Sequence, residues 1–367
     1  MENEGYMRRA LELAERGWGR VSPNPLVGAV LVVGDELTGE GWHEGPGTPH
    51  AEIMALHSAG DRVRGATLYC TLEPCTRFGR TPPCTRALID SGIKRVVVAS
   101  LDPNLGEGAP GARELRSAGI DVTMGVLAPQ AERQNAAFLT HVRTGRPLVV
   151  LKMASTLDGK AAAADGTSRW ITGEAARTDV QRLRAWADAV LVGTGTALAD
   201  DPALVVRDPA YSSARSPLRV VADATGRLPA AGKLFDGSAP TLVATTDIAP
   251  LTRISEWRAA GAEVAVVDRD LAGGVSLSLL VEHLGKREVQ GLLVEGGPSL
   301  AWSAVSEGVV DRVVFYVAAS IAGGRAAPGA VGGTGFTPID RALRFDLVSV
   351  QGIGDDLRVE ADVHRDR

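Results

Sequence analysis

One histidine and two cysteines within residues 50–84 are the most chemically suggestive group in the sequence. His50, Cys75 and Cys84 offer one imidazole and two thiolates, a ligand set that suits zinc. A catalytic zinc takes three protein ligands and keeps its fourth position for water, so a set of three predicts a catalytic site. Glu52 lies two residues after His50 and is placed to move protons rather than to bind metal. We therefore predict three zinc ligands and one catalytic carboxylate.

Other interpretations of this region stay open. A structural zinc needs a fourth ligand, and His43 and His57 are the available candidates. The third cysteine, Cys70, falls in an apolar segment that is typical of a buried strand, so we expect it to be a core thiol. Asn24 lies between two prolines. It either stiffens a turn or presents a fixed amide to a pyrimidine-sized pocket, and we retain it as a substrate-binding candidate.

The elements around these residues must bring them together. After a helix over residues 7–16, the pattern predicts a helix that starts beside His50 and runs to about residue 59. A strand over residues 67–72 precedes Cys75. A second helix begins near Pro82, since proline is tolerated in a first turn. Cys84 then lies where backbone N–H groups and the helix dipole stabilise a thiolate. The predicted order in this half is β-β-α-β-α-β-α-β.

Two glycine-rich turns mark the second half of the chain. A strand over residues 189–192 runs into Gly-Thr-Gly-Thr at 193–196, and a strand ending at Glu295 runs into Gly-Gly-Pro at 296–298. A glycine turn between a strand and a helix presents free N–H groups to phosphate and allows close backbone approach. The first turn is not the G-x-G-x-x-G fingerprint, because Leu198 takes the place of the third glycine. Two such turns favour a dinucleotide site.

Length and composition limit the architecture and the partners. The 367 residues suggest two domains, and a loop over residues 143–147 predicts a boundary between domains 1–145 and 146–367. The net charge of −5 gives no drive toward nucleic acid. No apolar run approaches the ~20 residues that span a bilayer. The acidic N-terminus lacks the features of a signal peptide, so we expect a cytoplasmic protein with no membrane partner.

Several motifs of the first half resemble the deaminase half of the bifunctional riboflavin-biosynthesis deaminase–reductases. They are Pro-Asn-Pro-Leu-Val-Gly-Ala-Val at 23–30, His-Ala-Glu at 50–52, Thr-Leu-Glu-Pro-Cys at 71–75 and Gly-Arg-Thr-Pro-Pro-Cys at 79–84. Zinc nucleobase deaminases commonly carry H-x-E followed by P-C-x-x-C. The longer cysteine spacing seen here is typical of this family. The resemblance implies a cytidine-deaminase-like α/β domain that binds zinc. Arg77 and Leu105 depart from the family pattern, which has histidine and proline there.

The second half resembles the reductase half of the same family, through Lys-Met-Ala-Ser-Thr-Leu-Asp-Gly-Lys at 152–160, Ser-Arg-Trp-Ile-Thr-Gly at 168–173 and Glu-Gly-Gly-Pro at 295–298. That half implies a dihydrofolate-reductase-like α/β domain that binds NADPH. By the resemblance, the cofactor would contact Ala154, Trp170, Thr196, Asp200, Gly296, Gly297, Pro298, Ser299, Leu300, Ala301, Trp302 and Ser303. The substrate would contact Ser168, Arg184, Leu204, Arg207 and Glu295, and the two arginines suit a phosphate group. The family's serine after Asp223 is Ala224 here.

The resemblance implies two reactions on a small phosphoribosyl pyrimidine. The first is zinc-dependent hydrolytic deamination of 2,5-diamino-6-(5-phosphoribosylamino)pyrimidin-4-one. The second is reduction of its ribosyl group to ribityl, with hydride from NADPH. A homo-oligomer is expected, without nucleic acid. A nucleoside or tRNA deaminase with an unrelated nucleotide-binding domain, and a zinc-stabilised scaffold without turnover, remain the alternatives.

Overall fold

The computed structural model describes residues 2–78, 82–211 and 214–364 of the chain. Gly79, Arg80 and Thr81 of the long cysteine-spacing motif therefore lie outside the described residues. The chain divides into two compact units, Met1–Thr144 (unit 1) and Gly145–Arg367 (unit 2). Within the described ranges, no helix is long and apolar enough to cross a bilayer.

Unit 1 is a mixed sheet flanked by helices. Its strands in the described residues are β1 (Gly28–Val33), β2 (Glu36–Trp42), β3 (Thr67–Leu72), β4 (Arg95–Ser100) and β5 (Asp121–Met124). Its helices there are α1 (Glu2–Ala14), α2 (Ala51–Ala59), α3 (Cys84–Ser91), α4 (Pro110–Ser117), α5 (Ala128–Gln134) and α6 (Ala136–Thr144). The strand order is β2-β1-β3-β4-β5. Strand β1 is antiparallel to β2 and β3, whereas β3, β4 and β5 run parallel.

Each face of this sheet carries its own apolar core, because successive side chains of a strand point to opposite faces. Leu31 of β1 packs in the core that contains residues of α2, α3 and α4. Its neighbours Val30 and Val32 pack in the core that contains residues of α1. Cys70 of β3 is fully buried in the first of these cores, so its prediction as a core thiol is confirmed.

Helix α2 lies directly on the backbone of β2. A methyl group at Gly39 would overlap the carbonyl oxygen of Ala55, and one at Gly41 would overlap backbone atoms of Ala51 and Ala55. Glycine has no β-carbon, so the two backbones can approach this closely. The contact fixes the depth of α2 against the sheet, and α2 begins at the residue after His50.

Two short helices adjoin each other at the end of unit 1. Helix α5 ends at Gln134 and α6 begins at Ala136. The buried Asn135 separates them, and its amide accepts a hydrogen bond from Leu26 N and donates one to Leu26 O, both at 2.8 Å. The backbone amide of Asn135 still donates to Ala131 O at 3.1 Å, and that of Leu139 donates to Asn135 O at 2.9 Å, so helical hydrogen bonds continue across the junction.

Unit 2 is a larger sheet. Its described strands are β6 (Leu148–Thr156), β7 (Ala189–Gly193), β8 (Leu218–Ala222), β9 (Thr241–Thr245), β10 (Glu263–Val266), β11 (Gly291–Val294), β12 (Arg312–Ala318), β13 (Phe345–Ile353) and β14 (Asp356–Val363). Its described helices are α7 (Glu174–Trp186), α8 (Thr194–Asp200), α9 (Leu251–Ala259), α10 (Leu277–Gly285) and α11 (Pro298–Ser306). The strand order is β10-β9-β8-β7-β11-β6-β12-β14-β13.

Most of this sheet is parallel, and only the β14 and β13 pairings are antiparallel among the described strands. Strands β8, β7, β11 and β6 are consecutive parallel neighbours. Their carboxyl ends therefore meet at one edge of the sheet, which is where ligands bind in open α/β sheets. Both glycine turns found in the sequence follow strands of this group, β7 and β11.

Candidate active sites

The three predicted zinc ligands of unit 1 lie together, with their ligand atoms all within 4.8 Å of one another. His50 Nδ1 is 3.2 Å from Cys84 Sγ and 3.5 Å from Cys75 Sγ. A tetrahedral zinc bonds nitrogen at about 2.0 Å and sulfur at about 2.3 Å, which places such atoms roughly 3.5 Å apart. The donor types and their spacing therefore fit zinc.

Two helix starts and one strand end position these ligands. His50 is the residue before α2, Cys84 is the first residue of α3, and Cys75 follows β3. The amide of Cys84 donates to Cys75 Sγ at 3.3 Å, and the amide of Thr85 donates to Cys75 O at 3.2 Å. The start of α3 was expected to stabilise the Cys84 thiolate. Its first two N–H groups are instead directed at Cys75.

The pKa values of the two thiols are shifted in opposite directions. The hydrogen bond with Cys84, supported by His50 and by the Cys84 amide, lowers the pKa of Cys75 to about 4. The hydrogen bond with Cys75, together with burial, raises the pKa of Cys84. A thiolate is the form that binds metal, and the hydrogen bonds to Cys75 Sγ favour that form.

Glu52 lies in the first turn of α2 and is only 3% exposed. Burial raises the pKa of its carboxyl, although the neighbouring His50 opposes that shift. A carboxyl with a raised pKa is suited to accept a proton and then return it. Glu52 is not part of the three-donor cluster found in the described residues. Its position suits a proton carrier next to the metal.

Asn24 and His43 meet beside the ligand cluster. Asn24 Nδ2 lies 2.9 Å from His43 Nε2, while His43 Nδ1 lies 3.3 Å from Pro49 O. The rings of His43 and His50 are edge to face, with centroids 5.6 Å apart. Burial lowers the pKa of His43, so its ring is neutral and can accept from the Asn24 amide. His43 thus fixes that amide, and neither it nor the exposed His57 belongs to the donor cluster of the described residues.

The two departures from the family pattern in unit 1 contact each other. Arg77 donates from Nη2 to the carbonyl oxygen of Leu105 at 3.4 Å. Leu105 belongs to the short turn that starts after Asp102, whose carboxylate accepts from Asn104 N at 2.9 Å. Burial raises the pKa of Asp102 to about 6. Arg77 therefore ties the loop after β4 to the loop that carries Cys75.

Unit 2 contains a cavity of about 1150 Å³ at the carboxyl ends of β6, β7, β8 and β11. Predicted cofactor residues that line it are Ala154, Trp170, Thr196, Asp200, Gly296, Gly297, Pro298, Ser299, Leu300 and Ser303. Predicted substrate residues that line it are Ser168, Arg184, Leu204, Arg207 and Glu295. Two further predicted cofactor residues lie elsewhere. Ala301 is fully buried in the apolar core, and the ring of Trp302 packs 5.2 Å from that of Phe336.

The two glycine turns meet in the middle of this cavity. The amide of Gly297 donates to Thr196 Oγ1 at 3.1 Å, which joins the turn after β11 to the turn after β7. A β-carbon at Gly296 would overlap the side chain of Leu300, so only glycine fits there without rearrangement. The close turns leave backbone N–H groups on the cavity wall, which suits an anionic ligand.

A charged cluster lies at the β11 and β6 side of the cavity. Arg184 donates from Nε to Glu295 Oε1 at 2.7 Å and from Nη2 to Glu295 Oε2 at 2.9 Å. Burial acts to raise the pKa of Glu295, but Arg184 and Lys152 outweigh it and the pKa is lowered. Burial lowers the pKa of Lys152. Lys152 also lines the cavity, and its sequence signal is a lysine inside the apolar segment 148–154.

The other predicted substrate residues lie nearer the rim. Arg207 is exposed, and its backbone amide donates to Gln181 Oε1 at 2.8 Å. Ser168 is exposed, whereas Leu204 is buried with a left-handed φ of 53°. Trp170 is 71% exposed, and the guanidinium of Arg177 lies 4.6 Å from its ring centre. Ser168, Arg207 and Trp170 therefore line the cavity with exposed side chains, whereas Leu204 lines it from a buried position.

Comparison with known proteins agrees with this two-part arrangement. Residues 1–100 match the cytidine and deoxycytidylate deaminase zinc-binding region, and residues 147–359 match the RibD C-terminal domain. Fold and site thus define a zinc-type deaminase joined to a reductase. The chain is 41% identical to the riboflavin biosynthesis protein RibD of Actinobacillus pleuropneumoniae, over 98% of this chain and 95% of that protein. It belongs to the RibD family, the bifunctional deaminase–reductases of riboflavin biosynthesis.

Other relatives extend over the same length. The RibD protein of Escherichia coli K12 is 39% identical over 97% of this chain and 98% of its own. The solved structure of a diaminohydroxyphosphoribosylaminopyrimidine deaminase/5-amino-6-(5-phosphoribosylamino)uracil reductase from Thermotoga maritima superposes with a TM-score of 0.87. It shares 37% identity and covers 99% of both chains. The fold class expected from the sequence is therefore confirmed.

Proposed function

We propose that unit 1 converts 2,5-diamino-6-(5-phosphoribosylamino)pyrimidin-4-one to 5-amino-6-(5-phosphoribosylamino)uracil, and that unit 2 reduces the ribosyl group of that product to ribityl with NADPH. The observation that carries the proposal is the buried Glu52 carboxyl beside the three-donor cluster of His50, Cys75 and Cys84. The Thermotoga maritima relative, whose title gives these two activities, supports the choice of substrate.

In the deamination, water replaces the exocyclic amine and ammonia leaves. Zinc, when bound by the three donors, supplies Lewis-acid activation of water. Glu52 accepts a proton from the attacking water and delivers it to the departing amine, a role that its burial and raised pKa support. The Asn24 amide, held by His43, hydrogen-bonds the pyrimidine ring and orients the carbon that is attacked.

In the reduction, the bond between C1′ of the ribosyl group and its ring oxygen breaks, a hydride is added to C1′, and a proton is added to the ring oxygen, which becomes a hydroxyl. NADPH, when bound, supplies the hydride. The exposed guanidinium of Arg207 and the Ser168 hydroxyl bind the substrate phosphate, because arginine matches phosphate geometry. The Arg184–Glu295 pair and Lys152 place a rigid set of charges at the β11 end. These groups orient the ribosyl part and exclude water from it.

The alternative of a nucleoside or tRNA deaminase with an unrelated appendage is disfavoured. The match to the RibD C-terminal domain spans residues 147–359, so the second unit is a relative of the reductase half. A scaffold without turnover is disfavoured by the same match and by the buried Glu52 carboxyl next to the donor cluster.

Separate assays of the two reactions test the proposal. Purified full-length protein with the diaminopyrimidinone substrate and NADPH should release ammonia and oxidise NADPH, about one equivalent of each per substrate. Substrate that is already deaminated should support NADPH oxidation without ammonia release. Ammonia release from cytidine or tRNA, and none from the diaminopyrimidinone, would contradict the assignment.

Two properties of the whole protein are part of the proposal. The chain acts in the cytoplasm, where a reducing environment keeps the ligand thiols of Cys75 and Cys84 free.

The chain also forms a homo-oligomer through β13, an edge strand with an open backbone edge and exposed apolar side chains that include Leu347 and Val350. Light scattering of wild type and of a Leu347→Lys, Val350→Lys variant tests this. An unchanged mass would contradict the β13 contact.

A further inference from the structure

Glu73 is a buried carboxylate of unit 1 to which the proposed reactions assign no part. It belongs to the motif Thr-Leu-Glu-Pro-Cys at 71–75 and is 3% exposed. Its Oε1 accepts hydrogen bonds from the backbone amides of Gly111 at 2.8 Å and Ala112 at 3.1 Å. Its Oε2 is buried and has no hydrogen-bond partner among the described residues. Burial of a carboxylate is unfavourable unless hydrogen bonds offset it, so the bonds to these two amides are essential to its position.

The two amides belong to the start of α4, which lacks a local capping side chain. Ala109 precedes the helix, and its methyl group cannot accept a hydrogen bond. The first helical residue is Pro110, which has no N–H group. Gly111 and Ala112 therefore carry the first free N–H groups of the helix, and Glu73 binds both. A carboxylate is favoured at this end by the hydrogen bonds and by the helix dipole, so Glu73 caps α4 from the end of β3.

The same contact reaches Cys75 through a single residue. Pro74 lies between Glu73 and Cys75, and its ring fixes φ, so the backbone that joins them is stiff. The carbonyl oxygen of Pro74 also lies directly against α4, because a β-carbon at Gly111 would overlap it. Helix α4 therefore meets the segment before Cys75 at two points, the Glu73 carboxylate and the Pro74 backbone.

A further bond from α4 reaches the segment of the other zinc cysteine. Thr85 follows Cys84 and is fully buried. Its hydroxyl lies 3.1 Å from Glu114 Oε2 on α4 and 3.2 Å from the carbonyl oxygen of Cys75. The residues that adjoin both cysteines are thus bonded to α4 or packed against it. A shift of α4 would change the separation of the two ligand segments.

We infer that Glu73 is a positioning residue of the zinc site, which fixes α4 against the ligand segments and so holds Cys75 and Cys84 at the separation that zinc requires. The inference rests on the proposed function, because it assumes the zinc ligands of unit 1. Groups that orient metal ligands from outside the coordination sphere typically change metal affinity by about 10- to 100-fold when they are removed. Glu73 therefore determines how tightly zinc is held, in addition to stabilising the helix.

Zinc binding by the full-length protein tests the inference. Zinc affinity is measured by competition with a colorimetric chelator, and Co²⁺ is substituted for zinc because its absorption spectrum reports thiolate coordination. Glu73→Leu removes the acceptor and should weaken zinc by about 10- to 100-fold and alter the Co²⁺ spectrum. Glu73→Gln keeps an acceptor oxygen and should stay near wild type. Gly111→Ala should also weaken zinc, because its methyl group pushes α4 away from Pro74, although alanine favours a helix more than glycine does.

Control variants separate zinc binding from stability. Gly5→Ala adds a methyl group at an exposed site on α1 and should bind zinc as wild type does. Leu13→Ala removes a fully buried side chain from the core on the other face of the sheet. It should lower the unfolding temperature and leave zinc affinity unchanged at temperatures well below unfolding. Thr85→Val keeps the side-chain shape without the hydroxyl and should weaken zinc, so it tests the same support if Glu73→Leu does not fold.

Other results overturn the inference in distinguishable ways. Wild-type zinc affinity in folded Glu73→Leu and Thr85→Val shows that α4 does not position the ligands. An equal loss of zinc in Leu13→Ala shows that zinc affinity only follows the stability of unit 1. A loss in Glu73→Gln as large as in Glu73→Leu shows that the acceptor oxygen is not what matters. A folded wild-type protein that binds no zinc contradicts the proposed ligands themselves, and the inference fails with them.

Discussion

Asp356, the first residue of β14, accepts a hydrogen bond at 2.7 Å from the backbone amide of Gly173, the residue before α7. Gly173 directly follows the rim residues of the reductase cavity, including Ser168 and Trp170. A carboxylate at a helix start satisfies a free N–H group and favours the positive end of the helix dipole. A residue of the edge hairpin therefore supports the cavity rim.

Substitution of Asp356 should loosen that rim. Asp356→Ala leaves the Gly173 amide without its acceptor and should cost about 0.5–2 kcal/mol of unfolding free energy, the usual effect of losing a helix cap. The KM for the reductase substrate should rise, with a smaller effect on kcat. Denaturant unfolding and reductase kinetics check this. Asp355→Ala, at the exposed neighbouring position, is the control, and an equal effect there would remove the special role of Asp356.

Glu52→Gln should separate the two activities. Glutamine keeps the size and hydrogen bonding of the side chain but cannot carry a proton, so deamination should fall by ~10²–10⁴-fold or more. Zinc content should not change, because His50, Cys75 and Cys84 remain. NADPH oxidation with the deaminated substrate should continue near the wild-type rate. Loss of zinc would show that Glu52 is a ligand, and loss of both activities would show a shared site.

Metal content should follow the ligand cysteines and not the core cysteine. Purified protein should hold about one zinc per chain, as a three-ligand catalytic site predicts. A Cys75→Ala, Cys84→Ala variant should lose it, whereas Cys70→Ala should retain it, since Cys70 is buried in the core. Elemental analysis decides. Full zinc in the double variant would refute the assigned ligands.

The buried Arg184–Glu295 pair should matter for stability far more than an exposed pair. Arg184→Met leaves Glu295 charged and buried, which typically costs about 3–5 kcal/mol. The Arg169–Asp200 pair is largely exposed, so Arg169→Met should cost about 1 kcal/mol or less. Denaturant unfolding of both variants measures the difference. Equal losses would mean that the buried pair is not a special determinant of stability.

The same pair should make part of the unfolding free energy of unit 2 sensitive to acid. The folded-state pKa of Glu295 is lowered, so the stabilisation is present above the unfolded-state pKa of a glutamate and is lost as pH falls through the folded value. In Arg184→Met the larger of the two causes of the lowering is gone and only Lys152 still opposes burial, so most of this acid dependence should disappear. Unfolding free energy as a function of pH, for wild type and variant, tests the sign.

The two halves should fold as separate proteins. Residues 1–145 and 146–367 are predicted to be independent domains, and each of the described units has its own apolar core. Each fragment expressed alone should give a cooperative unfolding transition and the circular dichroism expected for its strands and helices. If neither fragment is compact, the boundary or the independence of the halves is wrong.

The metal cluster could be predicted from residue types alone, because few side chains bind zinc and three of them fall within residues 50–84. Contacts that depend on the fold could not. The pairing of Asn24 with His43, and of Arg77 with Leu105, joins loops far apart in the sequence. No periodicity or local motif encodes such contacts, so they appear only when the strands are in register.

Elements without a clear apolar pattern were also missed. Strand β13 is exposed along most of its length, so it lacks the alternation that identifies a half-buried strand. Asn135, at the junction of α5 and α6, accepts a hydrogen bond from Leu26 N, more than 100 residues away, and no local pattern encodes that contact.

The glycines of β2 make deamination sensitive to substitution at positions outside the set of zinc ligands and predicted substrate contacts. Any side chain at Gly39 or Gly41 would push α2 away from the sheet, and His50 and Glu52 would move with it. In a saturation-mutagenesis library selected for deamination, substitutions at these two glycines should be depleted as strongly as substitutions at the zinc ligands. As long as Gly39 and Gly41 are retained during evolution, α2 stays close to the sheet, and the position of the active site can change little.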